Sequence, residues 1–266
     1  MEEYGLGCLP DKKDIRDYKI NKKIAMAVDY PKQFECNRSP LIKQQRSVGS
    51  CVAHATSEIL EAYNGGEKLS TNFIYGIHKK LYGTPGPGMY LRDACKIVST
   101  YGDPSYDLCP GNTEVSAVYK IAEEAFANID VLKDAAKYKI DSYVRLRSED
   151  DIKYALTNYG PVLIAVMWYK ENKVSNGVLI KGSTKSGGHA LMLYGWNEQG
   201  WLIQNSWGSS WGRGGCCVIP YDYPLEEAYG LVPSTKTTTD IVIPSRNFFV
   251  ETFYKFINFI LNIFIK

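Results

Sequence analysis

The chain has 266 residues and a mass of 29.9 kDa, enough for one large domain or two lobes around a shared core. Apolar residues make up 45% and charged residues 23%, a composition outside the disordered and fibrous classes. Lys+Arg at 31 against Asp+Glu at 29 leaves a net charge of +2, which argues against nucleic acid as a partner.

Residues 1–28 read as an extended arm. Asp11, Lys12, Lys13, Asp14, Arg16 and Asp17 crowd together after Pro10 with no helical apolar stripe, and the stretch lacks the apolar core of a secretory signal. Pro31 and Pro40 break the next segment into loop and short strand. A helix is expected from Ser50 to Tyr63, stopped by Asn64-Gly65-Gly66. Further helices are expected over 70–81, 90–101 and 115–127, and a short one over 148–158. Between the second and third, Gly83-Thr84-Pro85-Gly86-Pro87-Gly88 is a stiff loop without the Gly-Lys-Ser/Thr ending of a phosphate loop. Strand-like runs then take over at 161–168, 189–196, 201–205 and 216–220. Helices first and strands second predict an α+β protein with a helical lobe, a sheet lobe and a ligand cleft between them.

The C-terminal region differs. Residues 231–247 read as a polar linker, and 248–266 as a hydrophobic helix. Its polar residues Glu251, Lys255, Asn258 and Asn262 fall on one narrow stripe. The expectation is a membrane anchor or an interface-lying helix through 248–265. Seven cysteines without a C-x-x-C pair argue against structural zinc. They read as reduced thiols, with Cys95, Cys216 and Cys217 in the core, which places the chain on a cytoplasmic face.

The residues that carry chemistry are Gln45, Cys51, His189 and Asn205. Cys51 opens a predicted helix, where partial positive charge and free N–H groups favour a thiolate. An imidazole that takes the thiol proton would complete a nucleophile. His189 is the candidate, since Gly187 and Gly188 before it leave room for a substrate backbone. The Asn205 amide suits orienting that imidazole, and Trp207 suits shielding the bond from water. Gln45 is the side-chain donor for an oxyanion hole. His54, one turn after Cys51, competes as base but reads as a packed histidine. Trp207 and Trp211 read first as structural, with Trp207 also a candidate on the substrate side.

Gln45-Arg-Ser-Val-Gly-Ser-Cys51, Gly188-His189-Ala190 and Asn205-Ser-Trp-Gly-Ser-Ser-Trp-Gly212 resemble the three active-site blocks of the papain-like, cathepsin-type cysteine peptidases, in family order and at compatible spacing. Leu69-Ser70 and Gly160-Pro161-Val162 resemble two further blocks. The resemblance implies a two-lobe fold, a helical lobe plus an antiparallel β-barrel-like lobe, over a peptidase domain at 29–230. It implies a polypeptide substrate, a thioester acyl-enzyme, no metal and no organic cofactor. Gly88 would offer its backbone to substrate, and Met89, Tyr90, Gly188 and Trp207 would line the site. Two family positions differ: Val48 stands where a cysteine is usual and Val52 where a tryptophan is usual. The segment Tyr4-Gly-Leu-Gly with Pro10-Asp11 and Arg16-Asp17-Tyr18 resembles the bacterial and viral branch, and the arm is expected either to gate the cleft or simply to complete the surface of the sheet lobe. The rivals are a papain-fold amidase or transferase, and a catalytically silent, membrane-attached binding protein. Retention of all four residues argues against silence.

Overall fold

The computed structural model describes residues 4–15, 17–18, 20, 28–84, 86–111, 124–125 and 128–234. The centre of the helical part is α1 (Cys51–Tyr63), buried from Cys51 to Glu61. A helix covered on every side belongs inside the protein rather than on its surface. Around it lie α2 (Thr71–Tyr82) and α3 (Leu91–Thr100). The Ser70 side chain caps α2 by accepting from the Phe73 N–H, and Gly83 ends it at φ 57°. α4 (Ile129–Ala135) is capped by Asn128, and α5 (Glu149–Asn158) by Ser148, with Glu149, Asp150 and Asp151 in its first turn.

The sheet holds β2 (Phe34–Glu35), β4 (Ile140–Leu146), β5 (Val162–Tyr169), β6 (Lys173–Ser175), β7 (Val178–Ile180), β8 (Lys185–Asn197), β9 (Gly200–Gln204), β10 (Cys216–Pro220) and β11 (Leu225–Pro233). Its order is β4-β11-β5-β8-β9-β10-β7-β6, with β2 against β8. The pairs form an open path, antiparallel except β10 against β7. β5 and β8 are buried on both faces. Leu163, Ala165, Ala190 and Met192 join the core of α1, while Ile164, Val166, Leu191 and Leu193 join Ile152 and Leu156 of α5. That alternation presses β8, with His189 on it, against α1.

Two further strands, β1 (Cys8–Leu9) and β3 (Met89–Tyr90), pair in parallel. The arm is therefore built into the helical part rather than left on the surface.

Four of the five expected helices stand within about two residues of their predicted bounds; the fifth, at 115–127, lies almost wholly outside the described residues. Strands β4 and β11 were not expected. Their charged residues disguise them: Arg145, registered against Tyr229, reaches diagonally to Glu227 at 3.6 Å, so both are covered without being unpaired. β11 also runs to Pro233, into the stretch expected as linker from 231. The hydrophobic tail at 248–266 lies outside the described residues. Among the described residues, no helix is long and apolar enough to cross a membrane.

Candidate active site

Cys51 is the first residue of α1 and is fully buried. Backbone groups of Ala190, Gly7 and Val52 hydrogen-bond its sulfur. His189 precedes Ala190 on β8, and its Nε2 lies 2.9 Å from Oδ1 of Asn205. A carbonyl oxygen only accepts, so Nε2 carries the proton and Nδ1 keeps its lone pair. Nδ1 of His189 and Nδ2 of Asn205 are buried without a partner among the described residues. Asn205 is fixed by its own N–H on the Gly215 carbonyl at 2.9 Å. Gln45 is tied to the same corner: the Ser206 hydroxyl donates to its Oε1 at 2.6 Å, and its N–H donates to the Ser206 carbonyl at 2.9 Å. Cys51 is thus tied to Ala190, the neighbour of His189, and Gln45 to Ser206, the neighbour of Asn205.

Trp207 stacks on the His189 ring at 4.6 Å and 29°, and it lies beside the His189–Asn205 bond as expected of a shield. Trp211 sits edge-on to Trp207 at 5.7 Å. His54 is a packed histidine: its Nδ1 lies 3.0 Å from the Ser50 carbonyl, and burial lowers its pKa to about 3. Cys95, Cys216 and Cys217 are buried, and all seven cysteines are free thiols.

The arm runs through this corner. Tyr4 stacks on Trp207 at 4.5 Å and 7°. Gln45 Nε2 donates to the Gly5 carbonyl at 2.8 Å, and the Gly5 N–H donates to the Arg46 carbonyl at 2.8 Å. The Gly7 carbonyl accepts the Met89 N–H at 2.9 Å. A Cβ on Gly7 would lie 2.1 Å from the Gly49 oxygen, and one on Gly188 would lie 2.1 Å from the Cys8 oxygen. The room left by Gly188 is therefore filled by a polypeptide backbone, that of the arm itself. A cavity of about 500 Å³ is lined by Arg147, Ser148, Trp201 and Tyr223 among others, and by none of the four site residues.

The arm is then clasped. Arg92 Nε and Nη2 donate to the Asp17 carboxylate at 2.9 and 2.8 Å, and Nη1 donates to the Lys12 carbonyl at 2.8 Å. Asp11 Oδ2 accepts from the Tyr229 hydroxyl at 2.8 Å, while the Asp11 N–H donates to Glu227 Oε1 at 2.8 Å. The second Glu227 oxygen is buried and unpartnered among the described residues.

Burial dominates the electrostatics. It pushes the Cys51 thiol up to about 11 and the His189 imidazole down to about 4. Burial thus favours the neutral form of both groups. The expected shelf is held from behind. The Gly88 N–H donates to the Tyr75 hydroxyl at 3.1 Å, and the Lys79 ammonium donates to the Gly86 carbonyl at 2.8 Å and to that of Gly88. Met89 is fully buried and Tyr90 half-buried. Sequence reasoning missed Tyr75, Lys79 and Trp168; for Trp168 the signal was strand alternation, which puts it on the same side as Val166, the residue registered against His189.

The family described as papain family cysteine protease matches residues 107–225, a range that holds His189 and Asn205 but begins after Cys51. A cysteine protease of Blomia tropicalis is 29% identical over 65% of this chain and 55% of its own length. An uncharacterized peptidase C1-like protein of Acanthamoeba polyphaga mimivirus is 26% identical over 82% of this chain and 78% of its own. The chain spans about half the length of several curated relatives. Xylellain, a cysteine protease from Xylella fastidiosa, superposes with a TM-score of 0.73 at 23% identity, covering 88% of this chain and 97% of that one.

Proposed function

We propose that the chain is a papain-type cysteine protease that cleaves peptide bonds through Cys51, with the N-terminal arm holding it latent. In this reading the Cys51 proton passes to Nδ1 of His189, and sulfur attacks the carbonyl carbon. The oxyanion is received by Gln45 Nε2 and the Cys51 backbone N–H, which at the first position of α1 has no intrahelical acceptor. The imidazolium gives its proton to the leaving amine, and a thioester remains. Water then gives a proton to His189 and attacks the thioester, releasing the acid and restoring the thiol. Asn205 keeps Nε2 protonated, so that Nδ1 faces the chemistry in both steps.

The observation that carries this reading is the Gln45 amide donating to a peptide carbonyl, that of Gly5, beside Cys51. A polypeptide already lies where a substrate would lie. The arm that supplies it also closes the site, because it buries both reacting groups in neutral form. The substrate is an extended polypeptide; Gly88, Met89, Tyr90, Gly188 and Trp207 are the surfaces it would meet once the arm leaves. The sequence pattern of 248–265 supports membrane association, as an anchor or an interface-lying helix.

The test is a thiol-reactive peptide epoxide followed by mass spectrometry. Expected is one adduct on Cys51 and loss of peptide hydrolysis; Cys51→Ala should keep the fold, since Ala is a good helix former, and lose turnover. Hydrolysis by Cys51→Ala above about a thousandth of the parent rate overturns the covalent mechanism.

A further inference from the structure

His189 sits in an aromatic enclosure that its sequence motif only half describes. Trp207 stacks on the imidazole at 4.6 Å, whereas Trp168 stands at 75° to the imidazole, 5.3 Å away, and at 78° to Trp207, 4.8 Å away. The three separations are nearly equal. Trp168 therefore lies beside the stacked pair, not above or below it. Perpendicular to both rings at that range, it must turn its face to their edges, because ring edges meeting end to end there would overlap. Strand register explains the placement. Val166 pairs with His189 and Trp168 with Gly187, so the indole shares the His189 side of the sheet, opposite a residue with no side chain to obstruct it. Trp168 is itself 7% exposed.

We infer that Trp168 is a positioning residue for His189: its face fixes the plane of the imidazole and stabilises the imidazolium edge on which the thiolate pair depends. This rests on the reading of Cys51 and His189 as the reacting pair. An indole face is electronegative and an imidazolium edge is electropositive, so the contact strengthens when the ring gains its proton. Trp207, lying over the face of the imidazole, contributes stacking and shielding instead. The need is concrete: burial alone drives His189 towards its neutral form. A stabiliser aimed at the charged form opposes that push at the place where catalysis needs it opposed.

The test uses the full chain and reads the His189 titration by proton NMR together with the pH profile of kcat/KM. Trp168→Leu should lower the imidazolium pKa by about half to one pH unit and move the alkaline limb of the profile down with it, with kcat falling more than KM rises. Trp168→Phe, which keeps a ring face, should recover much of the shift. Fluorinated tryptophans placed at 168 weaken the face charge with little change of shape, and they should lower the pKa stepwise; this arm stands even if Trp168→Leu fails to fold. An unmoved His189 titration across the fluorinated series overturns the inference, as does a loss of stability with both limbs unchanged. Because the titration is read without turnover, a failure of the peptidase reading leaves this result interpretable.

Discussion

Gly7→Val isolates the arm's role. In the docked arm a Cβ at Gly7 would lie 2.1 Å from the Gly49 oxygen, 2.5 Å from its carbonyl carbon and 2.7 Å from its Cα. These are backbone atoms just ahead of α1, and they have no rotamer by which to yield. Reaching ordinary contact requires the arm to withdraw by about 1 Å, an overpacking cost of about 1–3 kcal/mol. Withdrawal also breaks the Met89–Gly7 and Gln45–Gly5 hydrogen bonds, at about 1 kcal/mol each. The sum, about 3–5 kcal/mol, weakens docking by roughly two to four orders of magnitude. The assay is alkylation of Cys51 in the full chain by iodoacetamide, mapped by mass spectrometry, alongside hydrolysis of a fluorogenic peptide. Both rates should rise together. If Gly7→Val retains its fold and Cys51 is alkylated within twofold of the parent rate, the arm does not control the site.

The clasp should respond to pH. Burial and the neighbouring Asp11 carboxylate push Glu227 up to about 7, so the docked state holds a proton that the released state gives up. Docking is then strongest below the ordinary carboxyl range and weakens as pH rises through 7, by about 1–2 kcal/mol after allowance for solvent, or 5- to 30-fold. Glu227→Gln mimics the protonated form; the ratio of Cys51 alkylation, parent over variant, should climb between pH 5.5 and 8, and a constant ratio removes the idea. His189→Ala should abolish peptide hydrolysis while His54→Ala leaves most of it, and the reverse ranking moves the base to His54. The whole chain should sediment with membranes and resist alkaline carbonate, while a chain ending at Ser245 should be soluble and active; a freely soluble full-length monomer refutes the anchor.

The reacting groups were legible because each sits in a short motif whose local structure the sequence states. Cys51 follows a Gly-Ser that opens a helix, and His189 follows two glycines at a strand. What ties them together was not legible. β4 and β11 carry Arg145 and Glu227, charges that read as surface until the strands are paired and the two are found in a diagonal ion pair. The arm posed a related difficulty. Gly5 and Gly7 look like flexible chain, yet both are glycine because a Cβ would strike the backbone of Val48 or Gly49. A close approach between distant segments leaves only an absence in the sequence, and an absent side chain is also what a loose linker shows. Trp168 was hidden for a different reason. Its strand was expected, but the side it faces follows from register with His189, and register is a property of two strands.

Closing the site and disarming it are one physical event. Burial pushes the Cys51 thiol up to about 11 and the His189 imidazole down to about 4, and both shifts favour the neutral pair. The cause in both cases is lost hydration rather than a neighbouring charge, and the arm lies against the site: Cys8 packs on Gly188, the neighbour of His189, while the Gly7 backbone bond to the Cys51 sulfur offsets part of the upward push. Withdrawing the arm opens a path for a substrate and, in the same step, returns water to both groups. Each then shifts towards its ordinary value, the thiol downward and the imidazole upward, which is the direction that favours the thiolate–imidazolium pair. The helix N-terminus at Cys51 and the face of Trp168 act on opposite charges of that pair, so their contributions add only once the pair exists. Latency in this chain therefore needs no distortion of the catalytic residues. The His189–Asn205 bond is in place with the arm docked, and the switch is the dielectric around the pair.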